Sequence, residues 1–192
     1  MKKLILASGS PRRKEFLDKA GLTFEIITSD YVEDMTLSLP PTELVKFLSH
    51  GKALPVAKDH PEATVLSADT IVVCNGAILG KPHTEENARK MLRHLSGTEH
   101  SVFTGFTVIH IEDNKSHLQA VETKILFKEL SDEEIDEYIA TGDPLDKAGA
   151  YAIQKVGDKF VEKIDGSFSN VVGLPIEEVL AVLRDQFGFE NI

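Results

Sequence analysis

The chain has 192 residues, which is long enough for one domain, over residues 1–192, with a substantial hydrophobic core. Its 31 acidic residues outnumber its 21 Lys and Arg residues, and the net charge of −10 argues against nucleic acid or anionic membranes as partners. The single cysteine, Cys74, allows no internal disulfide and is predicted to be a buried small residue. No apolar run is long enough for a signal peptide or a membrane span, so we expect a cytoplasmic protein.

The chain opens with a predicted strand, a small-residue loop and a helix. Residues 4–7 are an apolar run typical of a buried strand, and Pro11 is well placed to begin a helix. The first turn of that helix carries Arg12, Arg13 and Lys14, where the helix dipole disfavours cations. A phosphate chain bound by loop N–H groups and guanidinium groups would offset that cost. The stretch therefore predicts a polyphosphate site, and a solvated basic surface is the alternative.

The later elements follow from periodicity, turn residues and helix caps. In the first half of the chain we predict a helix at 11–20, a strand at 23–28, an acidic loop at 30–34, a helix from Pro41 or Thr42 that ends near Lys52, and a strand at 65–73 with a tight hairpin return at 77–79. A helix capped by Thr84 and ended by Gly97 follows, and then a hairpin of strands 102–111 and 121–127. The last predicted elements are a helix opened by the capping box at 131–134, strands at 150–154 and 159–164, and a helix from Pro175. Because hairpins dominate the middle of the chain, the sheet should be mixed rather than purely parallel.

Four residues in these elements could carry chemistry. Asp69 interrupts an apolar strand, where a lone charge is costly unless a metal ion, a hydrogen-bond donor or a cleft accommodates it. The alternative is a buried Asp satisfied by local N–H groups. Glu33 is a candidate second metal carboxylate, or an ordinary solvated acid. Lys52 and Lys81 could reach phosphate oxygens, although lysines at the end of a helix or hairpin usually lie on the surface. The histidines lack zinc-site spacing.

Several separated motifs together resemble the Maf family. They are residues 4–13 (LILASGSPRR), Ala68-Asp69-Thr70, Gly80-Lys81-Pro82, Leu95-Ser96-Gly97, residues 146–151 (DKAGAY), Ile164-Asp165-Gly166 and Gly173-Leu174-Pro175. The resemblance implies an α/β fold with a mixed, curved central sheet flanked by helices, related to inosine triphosphate pyrophosphatases. It also implies a nucleoside triphosphate pyrophosphatase that releases a monophosphate and pyrophosphate with a divalent metal, Mg²⁺ or Mn²⁺. A cytoplasmic homodimer, linked in some bacteria to septum formation, is implied as well.

The resemblance also implies roles for individual residues. Asp69 matches the catalytic acidic residue that accepts a proton, and Glu33 matches the acidic position near the metal, to which Asp69 is also assigned. The positions associated with phosphate binding are Ser8, Arg13, Lys52 and Lys81. The positions that separate the subgroups of the family are Arg12, Thr70 and Gln154. Their identities resemble the subgroup that hydrolyses dTTP and UTP rather than 7-methylguanosine triphosphate.

Two classes of function remain open from the sequence. The first is the pyrophosphatase, in which Asp69 is either the base for the attacking water or a metal ligand. The second is a regulatory protein that binds nucleotide and acts on a cell-division partner. For the enzyme, the amide of Gln154 could pair with O4 and N3 of uracil or thymine but not with the reversed edge of cytosine. We therefore predict discrimination against CTP.

Overall fold

A computed structural model describes residues 2–32, 34 and 37–190. Within these residues the chain forms two compact units. The terminal unit contains the chain up to Asp69, Thr104–Val121 and the chain from Gly173 onward, and the inserted unit contains Thr70–Phe103 and Glu122–Val172. A single domain over residues 1–192 stays a prediction.

The described helices and strands alternate near the start of the chain. The helices are α1 (Pro11–Lys19), α2 (Pro41–Asp59), α3 (Glu85–Leu95), α4 (Asp132–Ala140), α5 (Ile153–Phe160), α6 (Phe168–Val172) and α7 (Ile176–Phe187). The strands are β1 (Leu4–Leu6), β2 (Glu25–Ile26), β3 (Thr64–Cys74), β4 (Ala77–Leu79), β5 (Glu99–His110), β6 (Lys115–Phe127) and β7 (Val161–Asp165). Within the described part of the chain, no helix combines the length and apolar character needed to cross a membrane.

The strands of the described residues form one seven-stranded sheet in the order β2-β1-β3-β5-β6-β7, with β4 paired to β3. β1 is parallel to both β2 and β3, whereas β4 is antiparallel to β3 and β7 is antiparallel to β6. The sheet is therefore mixed, as the hairpins in the sequence predicted.

In the terminal unit, alternate residues of β1 and β3 face opposite sides of the sheet. Leu6 and Leu66 belong to a buried cluster that includes residues of α1 and α7. Ile5 and Val65 belong to a second cluster, which includes residues of α2. This is the two-residue period of a strand that is buried on both faces. It also means that odd-numbered residues of β3 up to Asp69 point to the side of α2.

The inserted unit is built around a buried aromatic cluster. Edge-to-face ring contacts link His100 to Phe127 and Tyr151, with centroids 4.8 and 5.5 Å apart. Further edge-to-face contacts join Phe160 to Phe127 and to Tyr138. The cluster therefore connects β5 and β6 with α4, α5 and the segment that precedes α5.

Local sequence signals are confirmed where the turn or cap chemistry was strongest. Asn75 and Gly76 both have positive φ, 49° and 78°, as the tight hairpin between β3 and β4 requires. The Thr84 hydroxyl accepts a hydrogen bond from the Asn87 N–H and caps α3. Ser131 and Glu134 form the reciprocal capping box that opens α4.

The predicted strand at 150–154 is wrong, and helix α5 begins at Ile153 instead. Gly149 and Ala150 both have positive φ, 70° and 62°, so the backbone turns where the strand was expected to start. The buried residues of α5, Ile153, Val156 and Phe160, repeat at helical rather than strand spacing. The next strand correspondingly begins at Val161 instead of residue 159, and the short helix α6 was not predicted.

Candidate active site

The loop after β1 and the start of α1 have the predicted arrangement. Pro11 occupies the first turn of α1, the N-cap Ser10 makes no side-chain cap, and the first turn contains no acidic residue. Arg12 and Arg13 are half-buried in that turn, while Lys14 is exposed and forms an ion pair with Asp18. Lys14 therefore has its own carboxylate partner, whereas Arg12 and Arg13 remain the cations of interest for phosphate.

Arg13 fixes the loop that contains Ser8. Its Nη1 donates to the Ser8 hydroxyl at 2.9 Å, and its Nε donates to the Gly173 carbonyl at 2.8 Å. The Ser8 hydroxyl also accepts a hydrogen bond from the Ser10 N–H at 3.3 Å. Arg13 and Ser8, both predicted to bind phosphate, are thus in direct contact. The planar guanidinium suits this arrangement because it donates in several fixed directions at once.

Asp69 is buried in β3 with 5% of its surface exposed, and its Oδ1 forms an ion pair with Lys52 Nζ. The Lys52 side chain is only 16% exposed. The sequence placed Lys52 near the end of its helix, which is wrong because α2 continues to Asp59. Lys52 therefore projects from the interior of α2, and its partner explains how an Asp can occupy an apolar strand.

Hydroxyl groups attach α2 to the same face of the sheet. The Ser67 hydroxyl donates to the Ser49 carbonyl at 2.6 Å, and the hydroxyls of Ser49 and Thr107 are 2.9 Å apart. At Gly105 of β5, a Cβ atom would overlap the backbone of Val45 in α2. Sequence reasoning missed this group of contacts. The polar Ser67 and Asp69 at alternate positions of an apolar strand were the available signal.

The parallel strands β1 and β2 both end beside the first half of β3, which continues past them. Leu6 is level with Ile26 of β2 and with Leu66 of β3. The ladder continues one step further, because the Ala7 N–H donates to the Leu66 carbonyl at 2.7 Å. The Ser8 loop therefore leaves the sheet beside the part of β3 that leads to Asp69. Ligands in α/β proteins commonly bind outside the carboxyl ends of strands.

Tyr31, which follows β2, contacts α2 at Gly51, the residue before Lys52 in the chain. A Cβ atom at Gly51 would overlap the Tyr31 ring, so the ring lies directly on the helix at that glycine. The predicted metal residue Glu33 lies outside the described residues. Among the residues that the structure describes, no group of three or more His, Cys, Asp or Glu side chains could hold a metal ion. Protein-bound Mg²⁺ commonly uses one or two carboxylates together with substrate phosphates, so Asp69 fits as one such ligand.

In the inserted unit, Lys81 lies on a loop that is held on both sides. The Gly80 carbonyl accepts a hydrogen bond from the Gly149 N–H at 3.1 Å, and the His83 N–H donates to the Leu145 carbonyl at 3.2 Å. Both contacts come from the segment that carries the DKAGAY motif. The Lys81 side chain is exposed. A fixed backbone with an exposed ammonium group is compatible with phosphate binding and with an ordinary surface lysine.

The other two predicted residues of the inserted unit are Thr70 and Gln154. Thr70 is half-buried in β3, directly after Asp69. Gln154 is exposed at the second position of α5 and lines a groove of about 730 Å³ formed by α5, β7 and Phe168. The Gln154 amide is therefore accessible to a ligand.

The model of the Maf-like protein family matches residues 3–186. This chain belongs to the Maf-like protein family. A dTTP/UTP pyrophosphatase of Citrifermentans bemidjiense is 47% identical over 181 residues, covering 94% of this chain and 94% of that protein. Two further proteins of that name are similar to this Maf-like chain. The one from Pelotomaculum thermopropionicum is 43% identical and covers 98% of each chain, and the one from Thermoanaerobacter sp. strain X514 is 48% identical and covers 96% and 97%.

Solved structures resemble this Maf-like chain in fold. The Ham1 protein of Staphylococcus aureus has a TM-score of 0.54 at 15% identity, with 94% of this chain and 99% of that chain covered. A HAM1 protein from Coxiella burnetii has a TM-score of 0.51 at 15% identity, with 96% and 100% covered. At this identity the likeness concerns the fold alone. It confirms the predicted class, a mixed α/β sheet flanked by helices.

Proposed function

We propose that this protein is a nucleoside triphosphate pyrophosphatase that hydrolyses dTTP and UTP to the monophosphate and pyrophosphate. Relatives named dTTP/UTP pyrophosphatase support the activity, because they are 43 to 48% identical over nearly the full chain. A modified pyrimidine triphosphate is a further candidate substrate. The single structural observation that carries the proposal is the buried ion pair between Asp69 and Lys52, where β3 continues past the carboxyl end of the parallel strand β1.

Cations on α1 and α2 support triphosphate binding in the terminal unit. Arg13 and Ser8 form a hydrogen-bonded pair at the start of α1, and Lys52 lies on α2. The helix N-terminus adds backbone N–H groups and a partial positive charge that favour an anion. We assign Ser8, Arg13 and Lys52 to the phosphates, and Lys81 of the inserted unit to the same role. These cations would stabilise the charge that develops on the leaving pyrophosphate.

The reaction needs a water molecule that attacks the α-phosphorus. A bond forms between the water oxygen and that phosphorus, and the bond to the bridging oxygen of the β-phosphate breaks. Pyrophosphate leaves with the electron pair, and Asp69 accepts the proton of the water. A bound Mg²⁺ or Mn²⁺ would supply charge neutralisation and a lower pKa for its water. Asp69 would also fit as a ligand of such a metal, and Glu33 is proposed as the second carboxylate. The proposal therefore holds whether Asp69 is the base or a metal ligand.

Base selection is assigned to Gln154, Arg12 and Thr70. The exposed amide of Gln154 has a donor and an acceptor, which match O4 and N3 of uracil and thymine. Cytosine presents the reversed edge and would leave polar groups unpaired, which can discriminate by orders of magnitude. Uracil and thymine differ by one methyl group, so UTP and dTTP should react with similar efficiency. This also requires that the site does not read the 2′-hydroxyl, which UTP has and dTTP lacks, and the subgroup resemblance supports that tolerance.

We also propose that the protein is a cytoplasmic homodimer that acts on free nucleotide. The net charge of −10 disfavours nucleic acid and anionic lipid as partners, and the single, buried Cys74 suits a reducing compartment. Burial raises the pKa of the Cys74 thiol, which makes it a poor nucleophile. The link to septum formation that the family resemblance implies would extend to this protein.

The test incubates the protein with dTTP, UTP, CTP, ATP and GTP, each with Mg²⁺ or Mn²⁺, and separates the products by ion-exchange chromatography. We expect dTMP or UMP with pyrophosphate, at similar rates for dTTP and UTP and far lower rates for CTP. Orthophosphate with a nucleoside diphosphate would contradict the assigned bond. Saturable nucleotide binding without turnover would favour the regulatory nucleotide-binding protein.

A further inference from the structure

The helix that carries Gln154 lacks its own N-terminal cap. α5 has eight residues, and its N-cap residue, Ala152, has no side-chain hydrogen bond to offer. Helices this short are not stable by themselves and depend on tertiary contacts. Among the described residues, none hydrogen-bonds the Gln154 amide. The place from which that side chain can reach a ligand is therefore set by whatever fixes the first turn of α5.

Tyr138 of α4 supplies one such contact. Its hydroxyl accepts a hydrogen bond from the Ala152 N–H at 2.9 Å, and the contact is buried. The first N–H groups of a helix otherwise lack partners within the helix. The Tyr138 ring also contacts the Phe160 ring, with centroids 5.4 Å apart. Tyr138 thus holds α5 at both its beginning and its end.

Tyr151 supplies the second contact, one residue before Ala152. Its hydroxyl is 2.9 Å from Nε2 of His100 on β5, and the two side chains are 6% and 2% exposed. Burial lowers the pKa of His100 to about 4 and raises the pKa of Tyr151. Both groups are therefore neutral at pH 7. The hydrogen bond joins two uncharged partners within a ring cluster that excludes water.

We propose that Tyr138 and Tyr151 are positioning residues for Gln154, which hold the first turn of α5 so that the Gln154 side chain reaches the pyrimidine edge from a fixed backbone. This inference rests on the proposed function, because it concerns how the same base is read. Neither tyrosine contacts the nucleotide in this role. Their hydroxyls act through the backbone of Ala152 and through His100.

The experiment measures kcat/KM for UTP and for CTP in the full-length protein and in Tyr138→Phe and Tyr151→Phe. Each variant removes one hydroxyl and retains the ring. A lost hydrogen bond corresponds to about a 3- to 10-fold effect, so we expect the ratio of UTP to CTP efficiency to fall by about that factor. The loss should come from UTP, because the edge of cytosine does not pair with the Gln154 amide.

The matched control is Ser96→Ala. The Ser96 hydroxyl also accepts a backbone hydrogen bond, from the Leu130 N–H at 2.7 Å, but it lies at the end of α3 rather than at α5. We expect Ser96→Ala to lower the melting temperature without changing the UTP to CTP ratio. An equal fall of the ratio in Ser96→Ala would assign the effect to general destabilisation and overturn the inference.

A double-mutant cycle separates positioning from a structural role. In a Gln154→Ala background, Tyr138→Phe should leave the UTP to CTP ratio unchanged, because the group it positions is gone. An equal, additive fall in both backgrounds would contradict the inference. If Tyr138→Phe does not fold, the cycle with Tyr151→Phe decides in the same way. Wild-type protein that releases pyrophosphate from no pyrimidine triphosphate would instead refute the proposed function itself.

Discussion

The terminal and inserted units both bury polar side chains, but they do so in opposite ways. In the terminal unit the buried pair is charged, Asp69 with Lys52, and it lies where β3 continues past the carboxyl end of β1. In the inserted unit the buried pair is neutral, His100 with Tyr151, and aromatic rings surround it. Buried charges are costly unless they are paired and hydrogen-bonded, so a buried ion pair is a weak stabiliser by itself. We therefore propose a chemical role for the terminal pair and support of α5 for the neutral one.

Asp69→Asn should give the largest effect, because it removes the charge and retains the shape of the side chain. Turnover of UTP should fall by about 10²-fold or more whether Asp69 is the base or a metal ligand. Pyrophosphate release at saturating UTP measures it. Asp18→Asn, an exposed carboxylate of α1, is the matched control and should retain full turnover. Turnover within a few-fold of wild type in Asp69→Asn would leave the ion pair with a purely structural role.

Arg13→Lys should give the next largest effect. It keeps the positive charge but loses the fork that reaches both the Ser8 hydroxyl and the Gly173 carbonyl. We expect kcat/KM for dTTP and UTP to fall by about 10-fold, corresponding to about 1.4 kcal/mol of transition-state stabilisation. Arg184→Lys, at an exposed arginine of α7, is the control. Equal activity in both variants would show that charge alone suffices at residue 13.

The neutral pair of the inserted unit predicts a smaller, pH-dependent effect on stability. Burial lowers the pKa of His100 from 6.5 to about 4, so the unfolded chain binds more protons between these values. The stability that comes from keeping His100 neutral is fully present above pH 6.5 and is lost as the pH falls towards 4. Lowering the pH from 7.5 to 5.5 should therefore lower the unfolding free energy by about 1 kcal/mol.

Urea unfolding at the two pH values measures that loss. His100→Gln should show about 1 kcal/mol less loss than wild type, because glutamine does not titrate. His94→Gln, at an exposed histidine of α3, should behave like wild type. If His100→Gln shows the same pH dependence as wild type, His100 is not held neutral by burial.

Those parts of the fold that are decided by residues close together in the sequence could be predicted. The Asn75-Gly76 turn and the Ser131 capping box are decided within four residues, and both are confirmed. The strand expected at 150–154 failed because a positive φ at Ala150 is uncommon for a residue with a side chain. Its apolar residues fit a buried strand and a short helix equally well, so periodicity did not decide between them.

The members of the candidate site stay predictions, and most of their contacts could not be predicted from the sequence. The family resemblance assigned roles to Asp69 and Lys52, but their pairing depends on α2 lying across β3, which joins residues 17 positions apart. Likewise, nothing in the sequence placed Tyr31 on Gly51 or Tyr138 at the start of α5. Such contacts depend on tertiary packing, which local propensity does not encode.

The smallest expected effects concern one helical glycine in each unit, Gly157 of α5 and Gly51 of α2. Gly157 of α5 has open space, with the nearest heavy atom, Ile153 Cγ1, 3.9 Å from an added Cβ. Gly157→Ala should raise the unfolding free energy by about 0.5 to 1 kcal/mol, since alanine favours helix. At Gly51 of α2 an added Cβ would displace the Tyr31 ring, which belongs to a flexible side chain. Gly51→Ala should therefore be near neutral for stability, because the helix gain offsets the lost contact.

Activity measurements should detect the loss of the Tyr31 contact in Gly51→Ala. Gly51 directly precedes Lys52 in α2, so displacing the Tyr31 ring in Gly51→Ala should lower kcat/KM for UTP by about 3-fold, the size of one weak contact. Melting temperatures and initial rates of both variants, measured side by side, test this. If Gly51→Ala gains stability and keeps full activity, the Tyr31 contact has no part in the reaction. The residues proposed for the reaction in the terminal unit are then those of α1, together with Lys52 and Asp69.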